Sequence, residues 1–395
     1  MLGLIVKVVV VLLLLFGLPL LGVALVAQPV QPYLEFPPQT RPVQHAPFSW
    51  GMFVGVALVI ALAVGPVIRR VSTSQVTHRA SHSALRALPW WGWAGSLLLG
   101  GSWVVAWNRF PWFNALQPHM FTPLWLGYIL LANGLTLRRT GHCLIVERPR
   151  VFLALFPASA VFWWCFEYLN RFVQNWYYVG PHALTASEYF FQATIPFSTV
   201  LPAVLSTMEL LASVPALTRG LDRLPHMPSM AERWAGWVVL LVASAGLTGI
   251  GIWPDRLFPL VWVAPLLVIT AVQMLANEDT IFAVLGKGDG TSLWLAALAA
   301  LVCGLCWEMW NYKSLVHWEY AIPSVNAFKL FEMPVLGYAG YLPFGLECLA
   351  VTLLVFPRQY RELVNSAWRV GREPVSQKQG REEQRGMPQR GYLKA

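Results

Sequence analysis

Glu308 and Asn311 stand three residues apart in Trp307-Glu308-Met309-Trp310-Asn311, so their side chains share one face of a helix. A carboxylate beside an amide in an apolar segment can take up a proton, hold a cation or grip a hydroxyl, and an ionisable group at membrane depth marks a candidate site. Glu167 and Asn170 repeat the arrangement in Phe166-Glu167-Tyr168-Leu169-Asn170. The plainer role for either pair is structural: a Glu near the headgroups, bonded to its Asn or paired with Arg171 or Lys313, pins the end of a helix.

Each pair leads into a long aromatic loop, NRFVQNWYYVGPHALTASEYFF in one case and NYKSLVHWEYAIPSVNAFKLFE in the other. Interfacial Trp and Tyr account for part of this composition. They do not account for the carboxylates Glu188, Glu319 and Glu332 that accompany them. Both loops then enter apolar segments interrupted by Pro and Gly, a paired pattern that points to a membrane binding site. Small residues that allow close helix packing are the competing explanation. The second half is the richer in polar groups. Its catalytic candidates are Glu308, Asn311, Glu319, Glu332 and Glu347, the last about 20 Å in from the outer face at helical rise. Trp307, Trp310, Trp318, Tyr320 and Tyr338, with Glu167 and Asn170, are the expected substrate-binding groups.

What must position these residues is a bundle of membrane helices. Hydrophobic residues make up 56% of the 395 and charged residues 12%, too few charges to cover a soluble protein of this size. Ten apolar segments approach the roughly 20 residues a bilayer core requires. They lie near 4–27, 49–68, 89–107, 120–137, 151–169, 192–213, 234–252, 257–276, 292–310 and 334–356. An all-α integral membrane protein is the expected fold, because each segment must satisfy its own backbone in lipid.

The basic residues sort by side. With ten crossings, 22 of the 28 Lys and Arg fall on the side of the termini, nine of them from Arg358 onward. The other side keeps Arg41, Arg109, Arg171, Arg256, Lys313 and Lys329. Positive residues stay inside, so the expectation is a cell (inner) membrane protein with both termini cytoplasmic. The net charge of +9 is mostly this orientation signal, and it calls for no nucleic-acid partner. The first segment could instead be a cleaved signal peptide, with Gly22-Val23-Ala24 as the small-residue site.

The chain also repeats itself at an offset of about 141–146 residues. Trp107-Asn-Arg-Phe-Pro111 answers Trp253-Pro-Asp-Arg-Leu-Phe-Pro259, and Trp176-Tyr-Tyr178 answers Trp318-Glu-Tyr320. The expected plan has two N-terminal helices and a basic loop (1–86), a four-helix repeat (87–213), a linker (214–230), a second four-helix repeat (231–357) and a basic, disordered tail (358–395). Repeats with an even number of crossings run parallel, related by an axis along the membrane normal.

Several chemistries lack their signatures. Gly286-Lys-Gly-Asp-Gly290 has neither the gap nor the ending of a phosphate-binding loop, and no Gly-x-Ser-x-Gly elbow occurs. Cys303-Gly-Leu-Cys306 has redox spacing but sits inside an apolar segment, which reads as core. The oxygen-rich groups with His317 make a weak metal set, no Glu-x-x-His box occurs, and His78 and His82 fall in a polar loop; no metal or cofactor is assigned. The leading expectation is binding or processing of a lipid-like substrate at the outer face, with membrane lipids as surroundings. The alternatives are a secondary transporter with a site between the repeats, and a non-catalytic subunit docked to a partner in a membrane complex.

Overall fold

In the computed structural model the described residues are 2–38, 42–74, 86–180, 184–227 and 233–360. The basic tail beyond Tyr360, the loop holding His78 and His82, and His182 lie outside them. The chain is helical throughout its apolar segments, as a backbone buried in lipid demands. Seven helices are long and apolar enough to cross a membrane, and one further pair qualifies as a span bent by 56°.

Helix α1 covers Leu2–Leu25 and α2 Trp50–Thr73, the latter started by the Ser49 hydroxyl, which accepts from the Met52 N–H at 3.4 Å. Next come α3 (Trp90–Trp107), α4 (Phe121–Thr140) and α5 (Pro149–Val173). The segment expected at 192–213 is two helices, α6 (Ala186–Phe197) and α7 (Val200–Ala212), parted where Pro196 and Pro202 remove backbone donors. The remainder is α8 (Arg233–Ile252), α9 (Ala264–Leu275), α10 (Thr291–Asn311) and α11 (Tyr341–Val355). The segment expected at 257–276 is the bent pair, Pro254–Trp262 followed by α9. Helices α3 and α4, of 18 and 20 residues, are not among the seven long apolar helices.

Not every element is helical. The aromatic loops each supply a short strand, β1 (Trp176–Val179) and β2 (His317–Tyr320), which pair antiparallel. A second, two-residue ladder joins β3 (Lys329–Leu330) to β4 (Met333–Pro334). The aromatic and β-branched residues of WYYV favour a strand, and the alternation of polar and aromatic residues in HWEY suits a pleated surface with two different faces.

Helix pairing places the same two ends of the bundle together. Helix α3 lies against α4, α8 against α9, α10 against α11 and α7 against α10, with α1 laid along α8 and α9. Gly22 of α1 meets the backbone of α8 so closely that a Cβ would stand 2.0 Å from the Thr248 carbonyl oxygen. At one end Lys7 meets Glu278 at 2.6 Å, Arg70 donates to the carbonyls of Gly220 and Arg223, Arg86 to Gly141, and Arg139 to Ser213. At the other end His45 meets Asp255 at 2.7 Å, Arg171 donates to the carbonyls of Tyr33 and Glu35, Arg109 donates to that of Lys313, and β1 pairs with β2.

Candidate functional site

Asn170 and Asn311 fix the strands to the helices that precede them. Asn170 Nδ2 donates to the Trp176 carbonyl at 2.7 Å, and its Oδ1 accepts from the N–H groups of Asn175 (2.8 Å) and Trp176 (3.3 Å). Asn311 does the same for β2: Nδ2 donates to the Trp318 carbonyl at 2.7 Å and Oδ1 accepts from the Trp318 N–H at 2.8 Å. Both amides sit at the buried end of a helix, where orphan backbone groups need partners. The two strands then pair, with Trp176 opposite Tyr320 and Tyr178 opposite Trp318 on one face.

The carboxylates collect the aromatic hydroxyl and indole donors of that face. Glu308 is fully buried, and its Oε1 accepts from the Tyr320 and Tyr341 hydroxyls, each at 2.7 Å. Trp318 Nε1 in turn donates to the Tyr320 oxygen at 2.8 Å. Glu167, 1% exposed, accepts at Oε1 from Tyr178 (2.5 Å), Trp176 (3.1 Å) and Trp163 (3.3 Å). In each Glu the second oxygen, Oε2, is buried with no hydrogen-bond partner among the described residues. Neither carboxylate has an ion-pair partner there. Burial, then the neighbouring Glu308, holds the Tyr320 phenol well above its ordinary range, and burial with Glu167 does so for Tyr178. Both hydroxyls therefore keep their protons and stay donors to the carboxylates.

A cavity of about 190 Å³ opens in front of these groups. Trp163, Trp176, Trp262, Trp307 and Trp318 border it, and so do Tyr178, Tyr320 and Tyr341. Gln192, Tyr189 and His317 supply its other polar edges. Its walls come from α4, α5, α6, α10, α11, both strands and the turn before α9, so both halves of the chain build it. Gly304 lets one wall close: a Cβ there would stand 2.3 Å from the Tyr341 ring. An apolar space with few, convergent polar groups is what a small-molecule site requires.

Of the residues expected from sequence, Trp307, Trp318 and Tyr320 line the cavity, while Glu167 and Glu308 lie behind its tyrosines. Asn170 and Asn311 act one step back, as strand anchors. The rest are elsewhere. Glu319 projects from the opposite face of β2, where Oε2 accepts from the Tyr177 hydroxyl at 2.5 Å. Glu332 pairs with Lys329 at 3.7 Å across the small β3–β4 turn. Tyr338 donates its hydroxyl to the Leu330 carbonyl at 3.1 Å. Trp310 is buried against Trp125, ring centroids 4.8 Å apart. Glu347 is fully buried and accepts from the Leu266 N–H at 3.3 Å, satisfying an orphan donor in the first turn of α9. Glu188 closes a capping box with Thr185 at the start of α6.

The residues missed by sequence reasoning are Trp163, Tyr189, Trp262 and Tyr341, together with Trp176 and Tyr178 as wall groups. Trp163 lies one helical turn before Glu167 and was open to detection on that spacing. Trp176 and Tyr178 stand in the duplicated motif, whereas nothing in the spacing of Trp262 or Tyr341 singles them out. Among the described residues no three His, Cys, Asp or Glu side chains gather as a metal set, and Cys303 and Cys306 are free thiols.

No protein-family model, no curated protein and no solved structure matches the chain.

Proposed function

We propose that this chain is a polytopic membrane protein that binds a lipid-like molecule in the aromatic cavity, on the membrane face opposite its termini. The observation that carries the reading is the cavity itself: indole walls, three tyrosine hydroxyls tied to two buried carboxylates, and a lining to which both β1 and β2 contribute. Such a space takes an apolar body and a small polar group together.

Ten crossings, in two parallel four-helix repeats after two extra helices, make the frame we infer. Support comes from the clustering of the loops after odd-numbered crossings at one end and of the others with Lys7 at the opposite end. The reciprocal strand pairing supports the duplication. The excess of Lys and Arg in the loops on the side of the termini supports a cytoplasmic position for the termini and an outward-facing cavity.

The carboxylates' position behind the tyrosines favours binding over acid–base turnover, since substrate meets Tyr178, Tyr320 and Tyr341 first. Glu347, whose Oε1 accepts from the backbone of α9, does not line the cavity.

Native mass spectrometry of the protein extracted in a maltoside detergent tests the reading. The expected result is a stoichiometric lipid-like adduct that Trp307→Leu removes. A bare protein, or an adduct indifferent to Trp307→Leu and Trp163→Leu alike, overturns it.

A further inference from the structure

The cavity's wall offers an unequal supply of hydrogen-bond donors and acceptors. Three tyrosine hydroxyls border it, and each spends its proton on a carboxylate: Tyr178 on Glu167, and Tyr320 and Tyr341 on Glu308. Three of the five bordering indoles are committed as well, Trp163 and Trp176 to Glu167 and Trp318 to the Tyr320 oxygen. What these six rings still present to a ligand is π faces and phenolic lone pairs, which attract positive charge. The donors left to an anion are the indoles of Trp262 and Trp307 with Gln192, Tyr189 and His317, and among the described residues no Lys or Arg borders the cavity.

Charge points the same way. Two buried carboxylates stand behind the wall with no ion-pair partner among the described residues, and each keeps one oxygen unbonded. The cation nearest in sequence to Glu167, Arg171, donates through Nη1 to the carbonyls of Tyr33 and Glu35 and forms no ion pair with the carboxylate. A low-dielectric space backed by two buried carboxyl groups favours a cationic occupant, which would stabilise their charged forms.

We propose that the polar end of the ligand is a cation, a quaternary or protonated amine seated against the Trp and Tyr walls in front of Glu167 and Glu308. The inference rests on the cavity being a ligand site. Among cations, a weakly hydrated trialkylammonium suits an aromatic wall best, because it loses little hydration on entry and needs no acceptor geometry. A zwitterionic or amine-bearing amphiphile is thus the substrate class.

Three amphiphiles with the same hexyl chain separate the inference from its premise: hexyltrimethylammonium, hexan-1-ol and hexyl phosphate, titrated against tryptophan fluorescence of the protein in maltoside micelles. Trp307→Leu serves as the control for partition into the micelle. The expected result is that the ammonium compound binds at least about tenfold more tightly than the alcohol, a margin within the reach of desolvated cation–π contacts. Glu308→Gln and Glu167→Gln should shrink that ratio, with a parent-like circular dichroism spectrum showing that the variants are folded. Should either fail to fold, Tyr341→Phe loosens the same network and should reduce the ratio. Equal affinity for ammonium and alcohol, or tightest binding of the phosphate, overturns the cationic assignment and leaves the cavity as a site. Signals unchanged by Trp307→Leu for all three compounds overturn both.

Discussion

Trp176 stands directly across the β1–β2 ladder from Tyr320, and the reciprocal pair sets Tyr178 against Trp318. Shifted by 142 residues, each member of one pair becomes a member of the other. Two strands that meet with this reciprocity are related as the two sides of an isologous interface. The arrangement also has a chemical result. It puts the donors for Glu167 and Glu308 side by side on one pleated face, and the cavity forms there.

That register can be trapped. Tyr177 and Glu319 face each other on the opposite side of the ladder from the cavity. Directly opposed positions have Cα atoms about 4.5–5.5 Å apart, within the span that a disulfide bridges. Tyr177→Cys combined with Glu319→Cys should oxidise to an intramolecular crosslink in membranes, read as a mobility shift reversed by reductant. Tyr177→Cys with His317→Cys, one register step away on the facing strand, should not. Equal crosslinking of both pairs contradicts the register.

The asparagines should matter for stability more than their distance from the cavity suggests. Asn311→Ala leaves the Trp318 N–H and carbonyl without their partners. Each unsatisfied buried group costs about 1–3 kcal/mol, so a loss of about 2–4 kcal/mol is expected. Asn170→Ala strands the backbone of Asn175 and Trp176 likewise and should cost as much. Thermal unfolding of the detergent-solubilised variants checks this. A shift no larger than that of a surface control such as Ser187→Ala would mean that the strands hold without their anchors.

Much of this frame is legible in the sequence, and the limits have physical causes. The long apolar helices follow from hydropathy, because lipid penalises polar backbone and charge wherever they occur. Glu167 with Asn170 and Glu308 with Asn311 stand out because helical spacing makes neighbours of them. Glu319 misleads: the aromatic loop has no helical period, and only strand alternation, set by pairing with β1, turns it away from Tyr320. Trp262 and Tyr341 come to the cavity through the bent segment before α9 and the start of α11, a matter of tertiary packing that no local spacing records. Glu347 has the apparent depth of a catalytic group, yet it answers to an orphan N–H on another helix.

Gly304, inside the Cys303-Gly-Leu-Cys306 sequence, has a packing role that can be measured. In Gly304→Ala the new Cβ meets the flat of the Tyr341 ring rather than the end of a flexible chain. The ring must move, and its 2.7 Å bond to Glu308 is strained or lost. Overpacking of this kind costs about 1–3 kcal/mol. Gly100→Ala is the contrast, since no atom outside its own helix lies within 4 Å of a Cβ there, and the gain in helix propensity should stabilise by about 0.5–1 kcal/mol. Unfolding midpoints that move in the same direction for both variants would refute the clash.

Alkaline pH gives a separate handle on the ladder. The Tyr177 phenol is pushed up from 10.0 to about 12, first by burial and then by its bond to Glu319. A folded state that holds a proton more tightly than the unfolded chain is favoured fully below the lower value and loses that advantage as pH rises. The contribution of Tyr177 should therefore be constant up to about pH 10 and decline between about 10 and 12. Tyr177→Phe removes the titrating group, so stability measured across that window should fall less steeply in the variant than in the parent. Tyr178 and Tyr320 are also held above the ordinary range, so the variant keeps a residual slope. Identical slopes for variant and parent would place the Tyr177 proton elsewhere than on the bond to Glu319.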